Sequence, residues 1–183
     1  MSKKSVYLML ADGFEEIEAI TTTDCLRRAG IDVQTVSITG RRIVDGTHNI
    51  PVTADIVFED ADFDQAEMII LPGGMPGTTN LLAYEPLTKQ LKDFAAQKRP
   101  MAAICAAPMV LAAHGILEGK KATIYEGMEE HLKGAVRSSD PVVIDGSIIT
   151  SKGPGTAMLF ALALIRFLRG DAASDEVRKG LLF

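Results

Sequence analysis

Tryptophan is absent from the 183 residues, and aromatic side chains make up only 5% of them. So little flat π surface offers no platform for stacking nucleobases. An excess of positive charge is also missing, since 19 Lys and Arg face 24 Asp and Glu for a formal net charge of -5. A nucleic-acid partner, which needs a basic face, is not expected. Long apolar runs are lacking as well. The richest, Ala157 to Leu168, is interrupted by Arg166 and is too short to span a bilayer, so no membrane partner is expected. Behind the basic start Met1 to Lys4, the apolar run Val6 to Ala11 ends at Asp12 without a small-residue cleavage site. It reads as a strand, not a signal peptide.

Cysteine is scarce. Cys25 and Cys105 are the only two and fall in different predicted elements, which argues against a disulfide framework. A reducing compartment fits, and the cytoplasm is the expected location. The three histidines, His48, His114 and His131, show no metal-ligand spacing, so no metal is expected. Neither Gly-x-Gly-x-x-Gly nor a Gly-Lys-Ser/Thr phosphate loop occurs, and no cofactor is expected. Repeats, low-complexity tracts and linkers are missing too. A chain of this length with 47% hydrophobic residues predicts one globular domain over residues 1–183.

What is present alternates. Val6 to Ala11, Val33 to Ile38, Met68 to Leu71 and Met101 to Ile104 read as buried strands. Glu15 to Ala29, capped by Gly30, Pro86 to Gln97, and Ala106 to about His114 read as helices between or after them. The polar segment Gly40 to Pro51 suggests a small hairpin around Asp45-Gly46. Further on, Ala122 to Tyr125 predicts a strand and Gly127 to Lys133 a short helix. Val142 to Asp145 and Ser147 to Ser151 suggest a strand pair, and Pro154 to Arg169 the longest helix. Fully apolar strands alternating with helices imply an α/β fold, a mainly parallel sheet with helices on both faces. In such sheets the chemistry sits beyond the carboxyl ends of the strands.

The segment Ala102-Ala103-Ile104-Cys105-Ala106-Ala107-Pro108 carries the sharpest signal. A strand runs into a cysteine, then small residues, then a helix, as in a nucleophile elbow. The helix N-terminus is expected to lower the thiol pKa. A buried structural cysteine is the competing reading, and it stands for Cys25, which has only a mid-helix setting. Glu15, Glu16 and Glu18 open the first helix at the end of the first strand. Any of them could complement the helix dipole, or point inward and be held protonated by burial. Spacing does not choose among them. Pro72-Gly73-Gly74 follows a core strand and could aim backbone N–H groups at a developing oxyanion, or form only a tight turn.

Taken in order along nearly the whole chain, these motifs resemble the ThiJ/PfpI superfamily. The marks are Ala11-Asp12-Gly13-Phe14-Glu15-Glu16-Ile17-Glu18, Leu26-Arg27-Arg28-Ala29-Gly30, Leu71-Pro72-Gly73-Gly74, the elbow, and Thr150-Ser151-Lys152-Gly153-Pro154-Gly155-Thr156. The chain is similar to the branch holding the Parkinson-associated protein deglycase and bacterial ThiJ-like proteins. The resemblance implies a flavodoxin-like three-layer sandwich. It implies Cys105 as an oxidation-sensitive nucleophile, Glu18 as the protonated carboxyl beside it, and Gly74 and Ala106 as backbone donors. Glu15, Arg28, His48, Gly73, Tyr125 and Pro154 fall around the implied pocket, partly across a dimer interface. The implied partners are a second copy of the chain, paired through Glu15 to Ala29 and Gly40 to Pro51, and a small reactive carbonyl substrate. The implied activity is cofactor-free and glyoxalase- or deglycase-like. An oxidative-stress sensor or redox-regulated chaperone is the alternative, and amide hydrolysis or thiazole biosynthesis are further labels in the superfamily. Ala106 replaces the histidine of the protease-like branch, and Tyr125 stands where the deglycase has one. His48 stands in place of a pocket arginine.

Overall fold

The computed structural model describes residues 4–183. The basic start read at Met1 to Lys4 therefore lies outside the described residues except for Lys4. Strands β1 (Ser5–Leu10), β2 (Val33–Ser37), β5 (Ile56–Val57), β6 (Ala66–Leu71), β7 (Met101–Ile104), β10 (Val142–Asp145) and β11 (Ile148–Ser151) form a seven-stranded sheet in the order β10-β11-β7-β6-β1-β2-β5. Every pairing is parallel except β10 with β11.

The apolar character of β1 is explained by its two covered faces. Val6, Leu8 and Leu10 point to one side, with Cys25 and Leu26 of α1 (Glu16–Arg28) and with Phe160 and Leu164 of α5 (Ala157–Arg169). Tyr7 and Met9 point to the other side, with Leu81 of α2 (Gly77–Ala83), Leu91 and Phe94 of α3 (Glu85–Ala96) and Leu111 of α4 (Pro108–Ala113). Side chains alternating into two cores leave no strand position polar by necessity. The last helix, α6 (Asp171–Gly180), packs against α5.

Several expectations need correction. The strand read over Ala122 to Tyr125 is reduced to β8 (Lys121–Ala122), paired with β9 (Val136–Arg137). There the Thr123 N–H turns to the Thr150 hydroxyl at 3.0 Å instead of continuing a ladder. The helix read over Gly127 to Lys133 is a single 3-10 turn, Glu129–His131. Pro154 to Arg169 divides into a 3-10 turn at Pro154–Thr156 followed by α5. The helix after the elbow begins at Pro108, because Cys105 to Ala107 are spent on the turn itself. The hairpin is present as β3 (Ile43–Asp45) with β4 (Pro51–Thr53), closed by a wider loop than an Asp45-Gly46 turn.

Chain order places the chemistry. From β1 the chain moves outward to β2 and β5, then returns to the opposite side of β1 as β6 and continues to β7. The direction reverses between β1 and β6, and in α/β sheets such a switch point is where ligands bind, above the strands' carboxyl ends. Residues after β1, β6 and β7 meet there.

Candidate functional site

Cys105 follows β7 directly and adopts φ 63°, a left-handed conformation that costs a non-glycine residue about 1–2 kcal/mol. The turn is held by neighbours on both sides. The Cys105 N–H donates to the Ser151 carbonyl at 3.0 Å, and the Ala107 N–H donates to the Ile104 carbonyl at 3.0 Å. The thiol is thereby lifted out of the sheet and left partly buried. The crowding that favours alanine at 106 and 107 is real, since both are buried.

Glu18 lies in the first turns of α1 and is 0% exposed. Its Oε2 accepts a hydrogen bond from the Gly73 N–H at 2.7 Å. Its Oε1 has no donor beside it among the described residues. Burial pushes the Glu18 carboxyl up to about 7, against the opposing hydrogen bonds from Gly73 and Cys105, with the Glu15 charge adding to the rise. A carboxyl that keeps its proton here relieves the orphaned oxygen and gains a donor.

The helix-dipole expectation for Cys105 is overridden. Burial and the negative charge of an ionised Glu18 push the thiol up to about 12, while N–H groups of Gly74 and Ala106 pull it down. The two groups are thus coupled through one charge: an ionised Glu18 opposes the thiolate, and a protonated Glu18 does not.

Gly73 is required by contact. A Cβ built there would lie 2.5 Å from Cys105 Cβ and 2.8 Å from Glu18 Oε2. Gly74 has φ 90°, and a side chain on it would collide with the backbone of Gly13 to Glu15. Position 73 permits the close approach of carboxyl and thiol, and position 74 turns an N–H toward the sulfur.

Other predicted pocket residues sit less centrally. Tyr125 is joined to the elbow through its N–H, which donates to the Cys105 carbonyl at 2.9 Å, while its half-exposed ring rests near Gly153. Tyr125, Gly153 and Pro154 line one shallow depression. His48 does not face the sulfur: its Nδ1 is 2.9 Å from Glu16 Oε2 and 3.5 Å from Glu15 Oε2. Arg28 pairs with Asp24 at 2.6 Å at the far end of α1, beside Ala173 and Val177. Within one chain the structure does not bring Arg28 to Cys105. Cys25 is buried in the helix with its sulfur 3.6 Å from Met158 Sδ, in keeping with a structural role.

Fold and site together define a class: a flavodoxin-like α/β protein with a cysteine on a nucleophile elbow, a buried carboxyl beside it and backbone donors at the neighbouring strand end. The chain belongs to the DJ-1/PfpI family, whose model matches residues 4–167. It is 40% identical over 178 residues to protein DJ-1 homolog B of Arabidopsis thaliana, covering 96% of this chain but only 41% of that relative. It thus spans less than half of that protein's length. It is 33% identical over 182 residues to a protein of Caenorhabditis elegans named glutathione-independent glyoxalase DJR-1.2, covering 98% of this chain and 96% of the relative. Among solved structures, oxidized Toxoplasma gondii DJ-1 matches with a TM-score of 0.94 and 35% identity over 98% of each chain. Among the described residues no helix is long and apolar enough to cross a membrane.

Proposed function

We propose that this protein acts on small reactive carbonyls, dicarbonyls or early glycation adducts, through a Cys105 thiolate with Glu18 as its proton carrier. One observation carries the reading: a thiol strained out of the sheet lies beside a fully buried carboxyl that ordinary donors leave half-satisfied. The glyoxalase name of the Caenorhabditis elegans relative supports it.

With methylglyoxal, Cys105 Sγ adds to the aldehyde carbon, forming a C–S bond and a hemithioacetal. The carbonyl oxygen takes up the displaced electron pair and lies against the N–H groups of Gly74 and Ala106. Glu18 first gives its proton to that oxygen; as a carboxylate it then removes the proton from the aldehyde-derived carbon and returns it to the adjacent carbon, while the hydroxyl proton passes to the second oxygen, leaving a lactoyl thioester. Water then cleaves the thioester, giving lactate and the free thiol. The net change adds one water per dicarbonyl, and no external electron carrier is consumed. Lactate release should fall at least a thousandfold in Cys105→Ala. Equal rates in both proteins would refute the mechanism.

A second reading rests on the same sulfur. A partly buried thiol that becomes a thiolate can pass to sulfenic and then sulfinic acid, so the protein would sense oxidants. The oxidized relative solved from Toxoplasma gondii favours it.

We also propose a homodimer. Helix α1 turns Ile17 and Ile20 outward, 56% and 45% exposed, and the adjoining 43–50 hairpin adds exposed Ile43 and Ile50. Apolar side chains on neighbouring elements suit a second copy of the same surface. Pairing there would also give Arg28 a route to a neighbouring pocket. Light scattering at micromolar concentration should report a dimer, and a monomer would count against this assembly.

A further inference from the structure

The loop closing the 43–53 hairpin lies over the first turn of α1, and the contact is polar. Glu16 Oε1 accepts hydrogen bonds from the backbone N–H of His48 at 2.7 Å and of Ile50 at 3.4 Å. Its Oε2 lies 2.9 Å from His48 Nδ1. The side chain runs so close over Gly46 that a Cβ there would overlap the carboxylate. Glu15 stands beside it. The two carboxyl side chains are only 8% and 7% exposed, whereas His48 at their mouth is 66% exposed.

Glu15 is the odd member. Its side chain is more than nine-tenths buried, and among the described residues its carboxylate pairs with His48 alone. Its near polar neighbour is His48 Nδ1 at 3.5 Å. Two neighbouring carboxylates repel each other, and one imidazole at the rim is a weak counterweight. One ligand atom from each of the three residues lies within 4.8 Å of the others.

We propose that Glu15, Glu16 and His48 form a site for one divalent transition-metal ion, with Zn²⁺ as its natural fit. One imidazole and two carboxylates match the N and O ligands and tetrahedral geometry of zinc, with water in the remaining position on the exposed side. Calcium, which takes about six to eight oxygens, and magnesium, which demands an octahedron, are poorly served. Bond lengths of about 2.0–2.2 Å place tetrahedral ligands roughly 3.3–3.6 Å apart, and the two distances from His48 Nδ1, 2.9 and 3.5 Å, are near that spacing. The imidazole presents an unprotonated Nδ1 to the ion, any proton on it passing to solvent, and the Nδ1···Oε2 hydrogen bond is replaced by two metal bonds. The bound ion would clamp the 46–50 loop to α1. This site needs no sulfur and does not rest on the carbonyl chemistry of Cys105.

Zinc titration against a chromophoric chelator tests it, with Zn²⁺ as the sole added ligand. Wild type and Cys105→Ala should each take up one equivalent per chain. His48→Ala, which removes the imidazole ligand, should weaken uptake at least tenfold, and Glu15→Gln should do the same. Co²⁺ in the site should show d–d bands without thiolate charge transfer. Uptake unchanged by His48→Ala, or lost in Cys105→Ala, would overturn the proposal. So would sub-stoichiometric, millimolar uptake by wild type, which would mark an adventitious ion only.

Discussion

The two cysteines divide the molecule into instructive halves. Cys25 sits in the interior of α1, 1% exposed, its thiol pushed up to about 11 by burial with the Asp24 charge adding to it. Cys105 sits on a left-handed turn, and burial pushes its thiol up as well, to about 12. Burial therefore does not separate the two sulfurs. The partners do. Cys105 has the N–H groups of Gly74 and Ala106 and a carboxyl able to hold a proton, whereas the sulfur of Cys25 meets the thioether of Met158. A nucleophile is recognised by what will stabilise its anion, not by the pKa of its neutral form.

The largest consequence concerns stability. The folded-state pKa of Glu18 lies above its ordinary 4.5, at about 7, so between these values the folded protein keeps a proton that the unfolded chain has lost. Its contribution is fully present below pH 4.5 and is lost as pH rises through about 7. At about 1.4 kcal/mol per pH unit the loss is roughly 3 kcal/mol. Urea unfolding of wild type and Cys25→Ala should show this fall between those pH values, and Glu18→Gln should flatten it. A slope shared by all three proteins would separate Glu18 from the effect.

A smaller effect sharpens the comparison from the side of chemistry. Under mild peroxide, mass spectrometry should find oxygen added to Cys105 at least ten times faster than to Cys25. Equal oxidation, or preference for Cys25, would erase the distinction between the two sulfurs.

Much of this contrast was legible in the sequence. The run of small residues around Cys105 betrayed the elbow, and the apolar strands betrayed the parallel sheet. The identity of the buried carboxyl was not readable from spacing, and α1 shows why. Its exposed positions include Ile17 and Ile20, while its buried ones include Glu16, Glu18, Thr22 and Thr23. Hydrophobic periodicity would rotate this helix the wrong way, so only the resemblance of the whole motif singled out Glu18. Helix α2 escaped notice because Gly77, Thr78, Thr79 and Asn80 are weak helix formers. Helix α6 escaped because it follows the longest predicted helix after Gly170 alone and buries only Ser174 and Val177. The cluster of Glu15, Glu16 and His48 left no metal-ligand spacing to read in the sequence. Its members lie in different elements and meet only through tertiary folding.

The central claim is that Glu18 holds the proton while Cys105 holds the charge, and the pH profile of Cys105 alkylation tests it most directly. A hydrogen bond to a charged group contributes about 1.5–3 kcal/mol, so removing the donor should raise the alkylation midpoint by roughly one to two pH units. Glu18→Leu should therefore slow alkylation near neutral pH roughly tenfold to a hundredfold, with Glu18→Gln milder because it keeps an N–H donor. An unchanged profile in Glu18→Leu would reduce Glu18 to a structural residue. Faster alkylation would contradict the account outright, because it would mean that Glu18 carries its charge beside the sulfur and suppresses the thiolate.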